Sequence, residues 1–244
     1  MRQFSTPHLA ALAVGLVLCV LAVWLPRRHG GRWEVPAARA LALLVLAAWA
    51  GEYIVDACEG IWSFRYTLPL QLTDAVSIAT AIALWTRRRL FVELVYLWAL
   101  TASLQATITP DLGYDFPSVF YFTYFVYHIG AIVAAFYLVF GAGSMPRRGA
   151  VWRVWAATWA WAGVAAIGCL ATGGNYMFLR EKPERGSLLN ALGPWPWYIL
   201  SAAFVGLAMM LVLQALARRL AHERTMLAPA LVESPALGSG VTSA

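Results

Sequence analysis

Charge is what this sequence has least of. Asp, Glu, Lys and Arg make up 12% of its 244 residues, about half of what a soluble domain carries, and this excludes an ordinary soluble globular fold. Cysteine is sparse too: Cys19, Cys58 and Cys169 lie far apart and form no CxxC pair, which excludes a metal-thiolate site. Cys58 and Cys169 both fall toward the same end of their hydrophobic runs, but nothing in their spacing specifies a disulfide. The signatures GxSxG, HExxH, GxxxxGK[ST] and GxGxxG are all missing, and with them the usual hydrolase, zinc-protease and nucleotide sites. No metal and no cofactor are expected.

What the sequence does have is long apolar runs. Seven reach the roughly 20 residues that a bilayer-spanning helix needs, at about 8 to 25, 39 to 57, 67 to 86, 90 to 109, 117 to 140, 151 to 172 and 195 to 216. The first is read as a retained helix, because Arg27, Arg28 and Arg32 follow it where a signal-peptide cleavage site needs small neutral residues. Sorting Lys and Arg by loop gives thirteen on one side (Arg27, Arg28, Arg32, Arg39, Arg87, Arg88, Arg89, Arg147, Arg148, Arg153, Arg218, Arg219, Arg224). The other side holds five (Arg2, Arg65, Arg180, Lys182, Arg185). Cytoplasmic loops hold the excess, so the reading is an all-α, multi-pass bundle of the cell membrane with the N-terminus outside and the C-terminus cytoplasmic. Residues 1–224 form one seven-helix domain, and 225–244, aperiodic and rich in small residues and proline, form a disordered cytoplasmic tail.

The net charge of +6 then reflects topology and attraction to anionic lipid heads, so membrane lipids are the expected partners and nucleic acid is not. Oligomeric state is left open. A seven-helix bundle invites the retinal-protein reading, which fails on one residue: the single lysine, Lys182, lies between the last two runs, so no lysine of the seventh helix forms a Schiff base. No internal repeat is evident, which weighs against repeat-built transporters.

Polar side chains inside a membrane are costly and mark functional candidates. Counted at about 1.5 Å per residue from the arginine-rich ends, Thr73 lies about 19 Å up its helix, His128 about 18 Å, Glu52 about 18 Å and Gln105 about 22 Å. Four helices thus bring a hydroxyl, an imidazole, a carboxylate and an amide to one level, with His128 read as the only buried histidine. Helical spacing places Tyr121, Tyr124 and His128 on one face. It groups Thr101, Gln105 and Ile108 in the same way, and Glu52, Asp56 and Glu59 in a row climbing outward.

A hydroxyl nucleophile needs a base within hydrogen-bond reach, and histidine is the usual one near neutral pH. Thr73 and His128 are therefore the candidate catalytic pair. Gln71, Asp74, Gln105, Tyr124, Glu52, Asn175 and Tyr198 are the candidate substrate-binding groups, Gln71 or Gln105 also serving as oxyanion donors. The segment from Gly173 to Trp195 reads as an outer lid or partly re-entrant hairpin. Two other readings stay open: a proton-coupled or cation-binding carrier relaying through Glu52, Asp56, Asp74 and His128, and a non-catalytic lipid-binding protein whose polar cluster is internal glue.

The stretches "LPLQLTD", "LQATITPDL", "YFVYHIGAIVAAFYLVF" and "GGNYMFLREKPERGSLLNALGPWPWYI" resemble the bacterial YwaF family of integral membrane proteins across the third to seventh runs. That family is similar to a eukaryotic ether-phospholipid acyltransferase, which pairs a cysteine in the first motif with a later histidine. It is similar also to the androgen-induced intramembrane threonine hydrolases, which use a threonine and a histidine. The resemblance implies acyl-ester chemistry on a lipid, with the nucleophile position at Thr73 and the histidine at His128. Where the family has LPLHLC, this chain has Gln71 and Thr73, a departure toward the hydrolases.

Overall fold

The computed structural model describes residues 1–232. Among them the main elements are seven helices: α1 Thr6–His29, α2 Glu34–Cys58, α3 Leu72–Thr86, α4 Arg89–Ile108, α5 Val119–Gly141, α6 Ala150–Thr172 and α7 Trp197–Val232. No strand is found among these residues. Six of the helices are long and apolar enough to cross a membrane, as a multi-pass protein requires. The exception is α3. It was expected from residue 67 but starts at Leu72 and has 15 residues, because Pro69 offers no N–H and biases its predecessor away from helical backbone. Helix α7 continues through Val232, past the expected start of the tail at 225. Residues 233–244 of that expected tail lie outside the described residues.

Lipid tails are as apolar as leucine, so helices in a bilayer are held by close packing and hydrogen bonds. Both are visible. Helices α4 and α5 are the inner elements, mostly buried, whereas α1, α2, α6 and α7 present most of their surface outward. Gly130 lets α2 and α5 approach: a Cβ there would sit 2.6 Å from Val45 Cγ2. A π turn at Ala99–Ser103 interrupts α4 and another at Tyr137–Gly141 ends α5. The first puts an extra residue into one turn of α4, between Thr101 and the stretch that carries Gln105 and Ile108; Thr101 and Gln105 line the cavity described below and Ile108 does not.

The arginine-rich ends converge. Arg27 Nε donates to the Phe140 carbonyl at 2.9 Å, Arg87 Nη2 donates to the Tyr137 hydroxyl at 2.5 Å, and the Arg39 guanidinium lies over the Trp85 ring. Glu93, buried near the start of α4, ties this end to the α5–α6 loop. Its carboxylate accepts from Arg147 N, Nε and Nη2 and from Arg153 Nε and Nη2, at 2.8 to 3.1 Å. Sequence reading passed over Glu93. Its signal was its isolation, as the one charged residue in the run 90 to 109.

Glu93→Ala removes five acceptor contacts at once, while both arginines, about two-fifths exposed, can turn to water. We expect a loss of about 1.5–3 kcal/mol, the worth of hydrogen bonds to a charged group. Thermal melting of detergent-solubilised protein reads it, and an unchanged midpoint would refute the tie.

Candidate functional site

Helix α3 begins where its first N–H groups have few partners, and the site grows from how they are met. Asp74, in the first turn, turns its carboxylate back: Oδ2 accepts from Gln71 N at 2.6 Å, and Oδ1 accepts from Tyr53 Oη at 2.6 Å and Trp49 Nε1 at 2.9 Å. A carboxylate at a helix N-terminus also suits the helix dipole. The Gln71 amide oxygen accepts from Met177 N at 2.7 Å, and its carbonyl from Trp161 Nε1 at 3.1 Å. The polar residues of "LPLQLTD" are thus divided: Gln71 and Asp74 fasten the helix start to α2, α6 and the α6–α7 loop. Thr73 is left over.

Thr73 lines a cavity of about 560 Å³, within the 300–1,000 Å³ usual for small-molecule sites. The cavity brings together Glu52 and Asp56 from α2, Gln71, Thr73 and Asp74 at the start of α3, Gln105 from α4, Tyr124, Tyr127 and His128 from α5, and Tyr198 from α7. Of the expected site residues only Asn175 is absent from this lining. Its side chain is spent inside the loop, where Oδ1 accepts from Arg180 N at 2.9 Å and Glu181 N at 3.1 Å. Glu59, the outermost of the carboxylate row, is exposed and also off the cavity.

His128 is 2% exposed and its ring is held between Tyr124 and Tyr127, with centroids 4.2 and 4.3 Å away. Nδ1 lies 2.8 Å from the Tyr124 carbonyl oxygen. A carbonyl only accepts, so Nδ1 carries the proton and Nε2 keeps its lone pair. Tyr124 in turn donates to the Ala106 carbonyl at 2.8 Å, and Glu52 hydrogen-bonds Tyr127. Among the described residues no group hydrogen-bonds the Thr73 hydroxyl, His128 Nε2 or the Gln105 amide. The hydroxyl and the imidazole share the cavity without being bonded to one another.

His128 is not the only buried histidine, as the sequence suggested. His8 is fully buried: its Nδ1 accepts from Phe4 N at 2.8 Å and its Nε2 lies 2.9 Å from the Thr107 carbonyl, so both nitrogens are used and it pins α1 to α4. A hydropathy reading that puts His8 at the very edge of the first run had no means of seeing this.

The Gly173 to Trp195 segment covers the cavity, with Met177, Phe178, Leu179, Pro183, Ser187, Leu188, Leu189 and Leu192 all lining it. Tyr176 anchors the cover: buried, it donates to the Phe64 carbonyl at 2.5 Å and accepts from Leu68 N at 3.1 Å. Gly174 permits the fit, since a Cβ there would lie 2.3 Å from the Arg65 carbonyl oxygen. Met177 and Phe178 both hold left-handed backbone, φ 53° and 55°, at a cost of order 1–3 kcal/mol each. Tyr198 Oη donates to the Phe178 carbonyl, so this expected substrate-binding group also fastens the cover. Across from it, Gln3 Nε2 donates to the Gly186 carbonyl at 2.9 Å. Asp111, another lining residue, takes backbone N–H groups of Glu184 and Arg185.

Among the described residues no group of three or more His, Cys, Asp or Glu gathers as a metal site. Compared with known proteins, the chain matches one family model, the TMEM164 family, over residues 3–214. No curated protein and no solved structure matches it.

Burial pushes the Asp111 carboxyl above its ordinary pKa of 3.8 and Glu184 adds to this, while the backbone of Arg185 and Glu184 and the Arg185 charge oppose it. A carboxyl whose folded pKa is raised costs stability above that pKa and nothing below its unfolded value. Asp111→Asn is therefore expected to raise the melting temperature at pH 7. The advantage should shrink as pH falls through the folded pKa toward about 4; a difference constant from pH 4 to pH 7 would contradict the assignment.

Proposed function

The chain belongs to the TMEM164 family, and we propose from the geometry of its chamber that it is an intramembrane lipid acyl-ester enzyme, a hydrolase or an acyltransferase. The observation that carries this is a hydroxyl and an imidazole with a lone pair lining one covered cavity at the start of a membrane helix. Thr73 Oγ1 is the nucleophile and His128 Nε2 the general base. The hydroxyl oxygen attacks the ester carbonyl as its proton passes to Nε2. The tetrahedral intermediate then expels the alcohol, which takes that proton from the imidazolium. Water, or the hydroxyl of a lysolipid, releases the acyl-threonine by the same steps with the roles of the oxygens exchanged.

The hydrogen bond from Nδ1 to the Tyr124 carbonyl suits this role, because it fixes the tautomer and orients the ring as a third catalytic group does elsewhere. The amide N–H groups of Gln105 and Gln71 are the available oxyanion donors, the Gln71 amide being held in place by Met177 N on its oxygen. A pair that is unbonded without substrate is consistent with the role, since such contacts tighten in the Michaelis complex. The motifs that resemble the YwaF family and its acyltransferase and hydrolase relatives put their nucleophile and histidine at these same two positions. With the arginine-rich ends cytoplasmic, the chamber and its cover face the outer leaflet.

A carrier relaying protons through carboxylates fits less well, because Asp74 and Glu52 already hold Trp49, Tyr53 and Tyr127. Purified wild-type protein is expected to be labelled by a lipid-like fluorophosphonate. Thr73→Ala and His128→Ala should each lose labelling and ester turnover by about 10²-fold or more, and Thr73→Ser should keep part of both. A wild type that neither labels nor turns over a lipid ester ends the proposal.

A further inference from the structure

The two sides of the chamber are built differently. The stretch from α2 to α5 supplies all its carboxylates, amides and its imidazole, whereas α6 and α7, apart from Thr158 and Tyr198, supply apolar residues such as Trp155, Trp159, Ala202, Gly206 and Met209. Helix α7 is fastened at two levels. Near its start Tyr198 Oη donates to the Phe178 carbonyl. Farther along, Tyr96 Oη donates to the Leu213 carbonyl at 2.9 Å, and Gln214 Oε1 accepts from Val151 N at 3.1 Å. Between Ile199 and Val212, about 20 Å of helix, no hydrogen bond among the described residues joins α7 to another element.

That free interval is the part that walls the chamber, and it does so with small side chains at Ala202, Ala203 and Gly206. Parting it from α6 exposes no unpaired backbone, because each helix satisfies its own N–H and C=O groups. It exchanges helix–helix contact for contact with acyl chains of equal apolarity, so the cost is small. The lining holds Glu52, Asp56, Asp74 and Asp111 and neither Lys nor Arg, which disfavours an anionic head inside it.

We propose that the seam between α6 and α7 is a lateral portal through which one acyl chain of a zwitterionic bilayer lipid enters the chamber. The chain lies against Trp155, Trp159, Ala202, Gly206 and Met209, and its ester reaches the level of Thr73 and His128. The direction of the chain rests on the acyl-ester reading; the portal itself does not.

The test uses full-length Thr73→Ala protein in nanodiscs of phosphatidylcholine carrying a diazirine at the end of one acyl chain. Photolysis should place crosslinks on Thr101 and Met210, which the bundle hides from bulk lipid. A second substitution, Gly206→Trp, should reduce those crosslinks about tenfold while leaving crosslinks on the outer faces of α1 and α2 unchanged. Ala202→Leu with Ala203→Leu replaces it if the tryptophan variant does not fold. Crosslinks that spare Thr101 and Met210, or that ignore both occluding variants, overturn the portal. Interior crosslinks sensitive to Gly206→Trp in a protein whose wild type shows no turnover keep the portal and end the enzyme reading.

Discussion

A helix that begins inside hydrocarbon has no water to meet its first N–H groups, so the rest of the protein must supply the acceptors. At 15 residues α3 spans about 22 Å of a roughly 30 Å core, and Asp74 is the group that makes this start tenable. One carboxylate holds the turn before the helix and two aromatic donors of α2. Once that end is fixed, the space above it has to be roofed by protein, and Gln71 and Tyr176 hold the α6–α7 segment there. The chamber follows from a span that is too short.

Much of this arrangement is legible in the sequence because the bilayer makes it so. Run length and arginine distribution give the helix number, and counting residues along each run brings Glu52, Thr73, Gln105 and His128 to one level; all four line the cavity. What the sequence hides is rotation and register. The π turn at Ala99–Ser103 puts an extra residue into one turn of α4, and nothing in "ALTAS" announces it. That Asp74 fastens the start of α3 is not legible, because its partners Trp49 and Tyr53 belong to another helix. The burial of His8 is hidden for the same reason, since the Thr107 carbonyl that it meets belongs to α4.

Buried polar groups here serve two ends. Glu93 with its arginines, His8 between two backbone groups, and Asp74 with three donors are saturated, and they position helices. Thr73 Oγ1, His128 Nε2 and the Gln105 amide are bonded to nothing among the described residues, and all of them line the same space. An idle polar group is expensive in hydrocarbon, yet Thr80 Oγ1 is buried without a partner among the described residues and off the cavity, so it is idleness together with a place in the chamber that marks candidate chemistry.

The backbone at Met177 and Phe178 bears on how firmly the chamber is shut. Left-handed conformations at two residues with side chains cost energy, which the hydrogen bonds of Gln71 and Tyr198 to this turn offset. Any arrangement that relaxes both residues recovers it, and about 1.4 kcal/mol recovered is a tenfold change in population. The balance between covered and uncovered forms is therefore set by a small difference between hydrogen bonds gained and torsional energy held. A cover made of many contacts can sit close to its own opening point.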